Sequence, residues 1–326
     1  MDDMRRYATI GEHEINNTTT TDYPSNYRGF DDNWDFNRFI KNLKISIIRS
    51  EENEIEFDLI GVDCSLANAF RRILISEVPS MAIEKVFVNN NTSLFQDEFL
   101  AHRLDFPCGQ DTIVFNLCVK CVKNKSASQE TTLPEELYQN RMVYTKDLVW
   151  EPIGNHSDIF IDNPIKPVDD DILIAKLAVG QELDLQMHCV KGIGRDHAKF
   201  SPVSTASYRL LPQIELLEEV EGEDAELLQK CFSKGVIDIV DKSKGKRVAK
   251  VVNSRLDSGG RNVFRYPHLK DKVKMSLVKN HFIFTVESTG ALPAHQLVSE
   301  AIEILIGKCR HFLGELEEYN KKSNST

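Results

Sequence analysis

The feature that most constrains the fold of this chain is a strand–strand–helix pattern that occurs near each of its ends. Apolar and polar residues alternate over 43–47 and again over 55–59, on either side of a short polar turn. Alternation with a period of two predicts a hairpin with one buried face. The helical pattern that follows runs from about residue 65 to 76, and Pro79 closes it.

The same order of elements returns almost 200 residues later. Alternation over 273–277 and 282–286 predicts a second hairpin, with a tight turn at 279–280. A long helix begins around Pro293, a residue that suits the first helical turn, and continues to about Tyr319.

Two such units can pair into one antiparallel sheet that carries both helices on a single face. We therefore predict an α+β fold in which residues 31–80 and 270–320 form one discontinuous domain. The intervening residues 81–269 form an inserted, mostly β domain. Residues 1–30 are expected to be a flexible arm and 321–326 a tail.

The inserted domain is predicted to consist mainly of strands separated by turn-rich stretches. Two of its segments have the composition of mobile loops, namely 123–136 and the acidic run 218–226. The predicted strands are 83–88, 112–122, 144–149, 172–177 and 183–190.

Both predicted helices carry wider apolar arcs than one sheet requires. The arc spans about 160° on the first helix and about 200° on the C-terminal helix, whereas a helix on its own sheet usually needs a little over 100°. Either the inserted domain or the arm covers the surplus, or another chain does. The predicted partner-contact residues are Leu66, Ala69, Phe70, Ile73, Leu74, Leu297, Ala301, Ile304, Leu305, Phe312, Leu313 and Leu316.

Two adjacent arginines stand on the polar side of the first helix. Arg71 and Arg72 point about 100° apart, so they cannot share one target. Arginine suits bidentate pairing with a carboxylate on a partner surface. A solvated polar face is the alternative explanation.

Composition excludes several classes of function. The chain has 50 acidic and 40 basic residues and a net charge of −10, which argues against a free-standing nucleic-acid binder. Any contact with nucleic acid is expected to be indirect. No apolar run is long enough to cross a membrane, and the first residues do not resemble a secretory signal. Seven cysteines, an odd number, favour a reducing compartment.

A metal site would have to be built around Cys118 and Cys121. A strand places these two side chains on opposite faces, and a structural zinc needs four ligands. His102 and Cys108 could be recruited to complete the set, but two ordinary strand cysteines are the preferred interpretation. We therefore predict no metal and no cofactor.

Other motifs give only weak indications of chemistry. Gly192 and Gly194 lack the third glycine of a dinucleotide fingerprint. A cytosolic enzyme centred on Cys118, Cys121 or His197 stays an alternative, although the serines lack a nucleophile elbow. The hydroxyl- and imidazole-bearing residues of this region are His197, Ser201, Ser204 and Tyr208. A basic cluster could contact phosphate, serve in nuclear import or form a solvated hairpin tip: Lys242, Lys244, Lys246, Arg247 and Lys250.

Several segments together resemble one known family, the alpha-like subunit of about forty kilodaltons that eukaryotic RNA polymerases I and III share. The resemblance extends from about Tyr23 to Leu316. The alpha motif is carried by 56–63 (EFDLIGVD), 66–74 (LANAFRRIL) and 77–86 (EVPSMAIEKV). Further matches are 91–93 (NTS), 97–104 (DEFLAHRL), 196–203 (DHAKFSPV) and 281–290 (HFIFTVESTG).

This resemblance implies a non-catalytic assembly subunit of a nuclear enzyme, with a discontinuous dimerisation domain. Such a subunit pairs with a small alpha-like subunit, docks the second-largest subunit and contacts other polymerase subunits. By the same resemblance, Arg71 and Arg72 contact a large subunit. The polymerase II counterpart resembles this fold but carries a cysteine cluster, which this chain lacks; it remains the alternative within the family.

The chain departs from the family pattern after Leu104. A Gly-Leu-Ile-Pro-like stretch and a loop usually follow there, whereas residues 105–110 lead here almost directly into 111–115. Loss of the loop would force two strands into a cramped turn, so we expect that residues are omitted from the sequence at this point.

Overall fold

The computed structural model describes residues 2–19, 27, 29–30, 33–104, 113–124, 137–161, 164–242 and 246–323. The helices of the described residues are α1 Asp2–Arg6, α2 Phe36–Asn42, α3 Cys64–Ser76, α4 Asp97–Arg103, α5 His156–Ile159, α6 Glu223–Cys231, α7 Pro267–Lys270 and α8 Ala294–Ser323. The first strands are β1 Tyr7–Ile10, β2 Ile15–Asn16, β3 Lys44–Ser50, β4 Glu54–Ile60, β5 Pro79–Asn91, β6 Ile113–Lys120, β7 Val122–Lys123 and β8 Tyr138–Gln139. The remaining strands are β9 Met142–Tyr144, β10 Val149–Glu151, β11 Leu173–Lys176, β12 Glu182–Ile193, β13 Val203–Leu216, β14 Ile237–Lys242, β15 Lys246–Val251 and β16 Val273–Ser288.

The chain divides into two compact units. The first comprises Met1–Ser50, Ile55–Arg71 and Ser207–Thr285. The second comprises Glu51–Glu54, Arg72–Ala206 and Val286–Thr326. The division differs from the predicted domains, because residues 207–269 of the expected insert belong to the first unit. The strand β13 explains this difference, since it pairs with β16 in the sheet of the first unit.

One antiparallel sheet organises the first unit. Its strands lie in the order β2-β1-β16-β4-β3, and β13 also pairs with β16. Strands from the two ends of the chain, β4 and β16, are therefore neighbours, as the repeated pattern predicted. The helix α3 packs on this sheet through aromatic rings: Phe57 and Phe284 stack at 5.2 Å, and Phe70 meets Phe284 edge-on at 5.7 Å.

A glycine sets the turn between β4 and α3. Gly61 has φ +84°, and a Cβ at this position would lie 2.2 Å from the carbonyl oxygen of Asn42. Only glycine fits this backbone at this distance. The Asp63 carboxylate then accepts the Ser65 amide at 2.9 Å, which satisfies one of the open N–H groups at the start of α3.

The second predicted hairpin is wrong: residues 273–288 form one continuous strand, β16. The expected turn at 279–280 stays extended because both residues are held by neighbours. The Lys279 ammonium donates to the carbonyl oxygens of Met4 and Thr19, at 2.8 and 2.9 Å. The Asn280 carbonyl accepts the Gly61 amide at 2.8 Å.

The prediction of a flexible arm over 1–30 is also wrong for residues 2–19. The strand β1 pairs with β16 in antiparallel register, with Ala8 opposite Leu277. Ala8 and Ile10 are buried, and β2 extends the sheet by pairing with β1. The alternation of apolar and polar residues in β1 covers only four residues, which is too short to predict a strand. Residues 20–26 lie outside the described part of the chain.

The acidic run at 218–226 is not a mobile loop. Its last four residues begin α6, and Val220 and Ala225 are buried in a core shared with β14 and β15. Its carboxylates also pair with part of the basic cluster. Lys246 binds Glu221 at 2.8 Å, and Arg247 binds Glu226. Of the remaining cluster residues, Lys244 and the side chain of Lys242 lie outside the described part.

The second unit contains a four-stranded antiparallel sheet in the order β10-β6-β12-β5. Long pairing between β5 and β12 confirms the predicted strands at 83–88 and 183–190, and the strand at 172–177 is present as β11. The predicted strand at 112–122 is present as β6 over 113–120; Cys121 separates it from β7, and residue 112 lies outside the described part. Residues 125–136 of the expected mobile segment 123–136 also lie outside it, whereas Val122–Lys123 pairs with β8.

The single strand predicted at 144–149 is interrupted. A 3₁₀ turn at Thr145–Asp147 separates β9 from β10. The side chain of Asp147 accepts the Tyr144 amide at 2.8 Å, and the Thr145 hydroxyl accepts the Ile172 amide at 3.2 Å. These side-chain bonds replace ladder bonds, so the backbone turns instead of extending.

A largely buried ion cluster fastens residues 253–257 to the first unit's sheet. The Arg255 guanidinium donates to Asp58 at 2.6 Å and to Glu56. His281, on the neighbouring strand β16, lies 3.0 Å from the second Asp58 oxygen. The Asp58 side chain is only 10% exposed, so these partners offset the free-energy cost of burying it.

We expect Arg255→Met to destabilise the first unit by about 2–4 kcal/mol, because it leaves a nearly buried carboxylate pair without its main counter-ion. Arg255→Lys keeps the positive charge but cannot form the bidentate contact, so its loss of unfolding free energy is expected to be smaller than that of Arg255→Met. Urea unfolding followed by circular dichroism measures both. Equal stability of the Met variant and the wild type would contradict this role.

A second prediction concerns pH. Asp257 is buried, its Oδ2 accepts the Gly259 amide at 3.0 Å, and its Oδ1 has no hydrogen-bond partner among the described residues. Burial raises the pKa of this carboxyl above its ordinary value of 3.8. A folded-state pKa above the unfolded one means that stability is present below that ordinary value and is lost as pH rises through the raised pKa.

Asp257→Asn removes this titration. The urea concentration at its unfolding midpoint is therefore expected to increase, relative to that of the wild type, as pH rises from 4 to 7. Asp271→Asn, the same substitution at an exposed aspartate, serves as the matched control and is measured at each pH beside Asp257→Asn. A parallel pH profile for Asp257→Asn and wild type would refute the assignment.

Candidate partner interface

The C-terminal helix α8 leaves half of its length without cover from its own chain. It has 30 residues, or about 45 Å of helix. Ala294, Leu297 and Ala301 are buried near its start, and the Ala294 amide donates to the Glu52 carbonyl at 2.8 Å. From Gly307 onward every residue of the helix with a described side chain is exposed.

The helix carries a regular apolar stripe that starts before Gly307 and continues along the exposed half. Six residues recur at alternating steps of three and four, which places them along one side of the helix with the spacing of a coiled coil. Phe312 is 64% exposed and Leu316 42%, and Leu313, beside the stripe, is 59% exposed. We call this stripe the heptad seam: Ile302, Leu305, Cys309, Phe312, Leu316 and Tyr319.

The twelve predicted contact residues fall into three groups. Phe312, Leu313 and Leu316 are exposed, so they offer surface to a partner. Leu66, Ala69, Ile304 and Leu305 are half-buried. The rest are buried in this chain, which removes them from the set of available contacts: Phe70, Ile73, Leu74, Leu297 and Ala301.

The residues of α3 in this group are buried because the helix packs its apolar face on its own sheet, as the edge-on contacts of Phe70 with Phe57 and Phe284 illustrate. A helical projection cannot distinguish a side that packs on the chain's own sheet from one that packs on a partner. The predicted set of contact residues omits Ile302, Cys309 and Tyr319, and the three–four spacing is the signal that could have identified them.

Arg71 and Arg72 differ in environment, as their separation around the helix predicted. Arg71 is half-buried, and its Nε and Nη2 donate to the Asn68 side-chain oxygen at 3.1 and 2.9 Å. Arg72 is exposed. The bonds to Asn68 fix the first guanidinium against the helix, so Arg72 presents the more accessible charge.

The residues that suggested a hydrolase do not converge on a site. His197 is exposed, and its Nδ1 accepts the Lys199 amide at 3.2 Å. The Ser201 and Ser204 hydroxyls donate to the carbonyl oxygens of Val203 and Glu287, at 3.2 and 3.3 Å. In the first unit, Tyr208 meets Phe282 edge-on.

The two glycines nearby serve close packing. A Cβ on Gly194 would lie 2.3 Å from the Ile75 carbonyl oxygen, and one on Gly192 would lie 2.7 Å from the Phe200 ring. The Arg195 amide donates to the Ser76 carbonyl at 2.9 Å. This turn therefore closes the end of α3, and its glycines are needed for contact with the backbone and with an aromatic ring.

The two cysteines differ in environment. Cys118 lies on β6 and is exposed, whereas Cys121 follows the end of β6 and is buried. Burial raises the pKa of the Cys121 thiol, which disfavours the thiolate that would bind metal or act as a nucleophile. Cys108 lies outside the described residues, and those that are described contain no group of three or more metal-ligating side chains.

A cavity of about 640 Å³ in the first unit is lined by α2, by the start of α3 and by β16. Its charged groups already have structural bonds: Asp35 accepts the Asn37 amide at 2.9 Å, and Lys279 donates to the Tyr27 hydroxyl at 2.8 Å. No helix among the described residues is both long enough and apolar enough to span a bilayer.

Comparisons with known proteins find similarity to subunits of RNA polymerases. A family model for the RNA polymerase Rpb3/Rpb11 dimerisation domain matches residues 56–309. The chain is 53% identical to the DNA-directed RNA polymerases I and III subunit RPAC1 of Mus musculus, with 97% of each chain covered.

More distant relatives extend the same similarity. The RPAC1 subunit of Saccharomyces cerevisiae is 45% identical, over 94% of this chain and 98% of its own length. An Arabidopsis thaliana subunit 3 of DNA-directed RNA polymerases II, IV and V is 31% identical, over 80% of this chain and 88% of its own. The chain therefore belongs to the RNA polymerase Rpb3/Rpb11 dimerisation-domain family.

Proposed function

We propose that this chain is a non-catalytic assembly subunit of the nuclear, DNA-directed RNA polymerases I and III, in the nucleolus and nucleoplasm. The chain is alignable over almost its whole length with the RPAC1 subunits of mouse and yeast. Its contribution would be to hold other subunits in place for the transcription of ribosomal, 5S and transfer RNA. With a net charge of −10, it is suited to reach nucleic acid only through other chains.

The observation that carries the heterodimer in this proposal is the heptad seam of α8, which is exposed from Cys309 onward. Burying one large apolar side chain stabilises a complex by about 1.5–3 kcal/mol, so an uncovered stripe of this length favours association. A stripe with three–four spacing is complementary to another helix. We infer that the small alpha-like polymerase subunit supplies that helix and that the two chains form a heterodimer.

The second-largest polymerase subunit is the partner that we propose for Arg72. An exposed guanidinium next to a closed helix end can form a bidentate pair with a carboxylate of that subunit. Arg71, bound to Asn68, would position the helix surface around it. Other subunits of polymerases I and III complete the set of proposed partners.

The polymerase II-type alternative has weaker support. The plant subunit 3 that is named for polymerases II, IV and V shares 31% identity with this chain, against 53% for the RPAC1 subunit of mouse. The enzyme alternative has no geometric support in the described residues, since Cys121 and His197 are engaged in packing and in a backbone bond.

Phe312→Asp and Leu316→Asp are expected to weaken binding of the small alpha-like subunit at least about 100-fold, because each would bury a charge where an apolar contact worth about 3 kcal/mol had been. Co-expression and co-purification, followed by titration of the purified chains, measure the loss. The matched control is His311→Asp, which places the same residue on an exposed part of α8 away from the seam.

A labelling experiment checks the same surface without a substitution. Cys309 lies on the seam and is exposed, whereas Cys118 is exposed in the second unit's sheet. Alkylation of Cys309 should slow on addition of the small subunit, and that of Cys118 should not. A heterodimer that tolerates both aspartates and leaves Cys309 reactive would overturn the interface assignment.

Arg72→Glu is expected to spare the heterodimer and to weaken binding of the second-largest subunit by about 30–100-fold, since reversing a paired interfacial charge costs about 2–3 kcal/mol. Pull-down of the second-largest subunit by the preformed heterodimer measures this. Arg310→Glu, an equal charge reversal at an exposed position of α8, is the control. Equal loss in both variants would contradict a specific role for Arg72.

A further inference from the structure

The strand β3 presents an open edge in the first unit. It is the last strand in the order β2-β1-β16-β4-β3, and among the described residues it pairs only with β4. Every second backbone amide and carbonyl of such a strand points away from the sheet. An open row of donors and acceptors is a template for the addition of another strand.

The side chains of this edge are unusually apolar for an exposed strand. Ile45 is 54% exposed, Ile47 64% and Ile48 52%. The register places Ile45 opposite Leu59 and Ile47 opposite Phe57, both of which are buried. Ile45 and Ile47 therefore continue the core face of the sheet beyond the point where this chain covers it.

The preceding helix α2 adds further exposed apolar side chains to this segment of the chain. Phe36 and Ile40 on α2, and Leu43 directly after it, are also exposed. None of the α2 residues is buried. Exposed large apolar side chains that are grouped in this way often mark an interaction site.

Charge indicates what chemistry would fit this surface. Residues 36–50 contain four basic side chains and no acidic one, in a chain whose net charge is −10. Lys41 and Lys44 are exposed. A partner segment with carboxylates between apolar residues would match both features, whereas a basic segment would be repelled.

We propose that the β3 edge, residues 44–50, binds an extended acidic and apolar segment of another chain by strand addition. The backbone of that segment pairs with the outward amides and carbonyls of β3. Its apolar side chains pack on Ile45 and Ile47, and its alternate carboxylates face Lys44. This site is separate in sequence and in binding mode from the heptad seam of α8, so it goes beyond the proposed heterodimer.

Two other occupants fit less well. A helix laid on Ile45 and Ile47 would cover their side chains but leave the edge amides unpaired. A second copy of this strand would bring Lys44 and Arg49 against the same basic residues, which opposes pairing. An extended acidic segment satisfies the amides, the isoleucines and the charge together.

Hydrogen exchange tests the proposal on two samples: the assembly purified from cells through a tag on this chain, and the recombinant heterodimer. In the assembly, about half of the amides in peptide 43–50 are expected to exchange at least 100-fold more slowly than in the heterodimer. The control is β10, another terminal strand, whose Val149 is 64% exposed. Its amides are expected to exchange equally in the two samples.

A photo-crosslinking amino acid at position 46 then identifies the occupant, and mass spectrometry reads the linked peptide. We expect an extended segment that contains alternating carboxylates. The variant I45K/I47K should abolish both the protection and the crosslink and should leave the heterodimer intact, since both side chains are exposed. Val149→Lys is the matched substitution and should change neither.

Three results would overturn the proposal. The first is unchanged exchange of 43–50 in the assembly. The second is slow exchange already present in the heterodimer, which would mean that this chain or the small subunit covers the edge. The third is a crosslink to a helix, to a basic segment or to a second copy of this chain.

Discussion

The first unit depends on the pairing of one sixteen-residue strand, β16, with strands from distant parts of the sequence. It lies between β1 and β4 and also pairs with β13. These contacts close a chain segment of more than 200 residues between β4 and β16. Closure over such a length costs only slightly more than over a short loop, so burial of Phe57, Phe70 and Phe284 can compensate for it.

This arrangement explains why the chain suits a role in assembly. The helix α8 follows β16 after a short connection, and only its first turns are buried. The sheet likewise ends at β3 with its core face partly uncovered. The first unit therefore has an open edge at β3, and the second unit has an exposed helix in α8. Such surfaces favour partners of different kinds, a helix on α8 and an extended segment on β3.

Much of the secondary structure was predictable because period-two and period-3.6 patterns report local burial directly. The helices α3 and α8, and the strands β3, β4, β5 and β12, were predicted in this way. The errors came where a distant residue decides the outcome. Lys279 and Asn280 read as a turn but are held extended by Met4 and Gly61, and the acidic run 218–226 is ordered by packing and by ion pairs with Lys246 and Arg247.

The candidate interface shows the same division. From the amino-acid pattern alone it follows that the helices have more apolar surface than one sheet can bury, and that the apolar residues of α8 recur at steps of three and four. Which of those residues remain accessible depends on the folded chain: Phe70 and Leu297 are buried, whereas Phe312 and Leu316 are exposed. The physical reason is that a hydrophobic pattern records the tendency of a side chain to leave water, and the identity of the surface that it packs against is set by contacts far away in the chain.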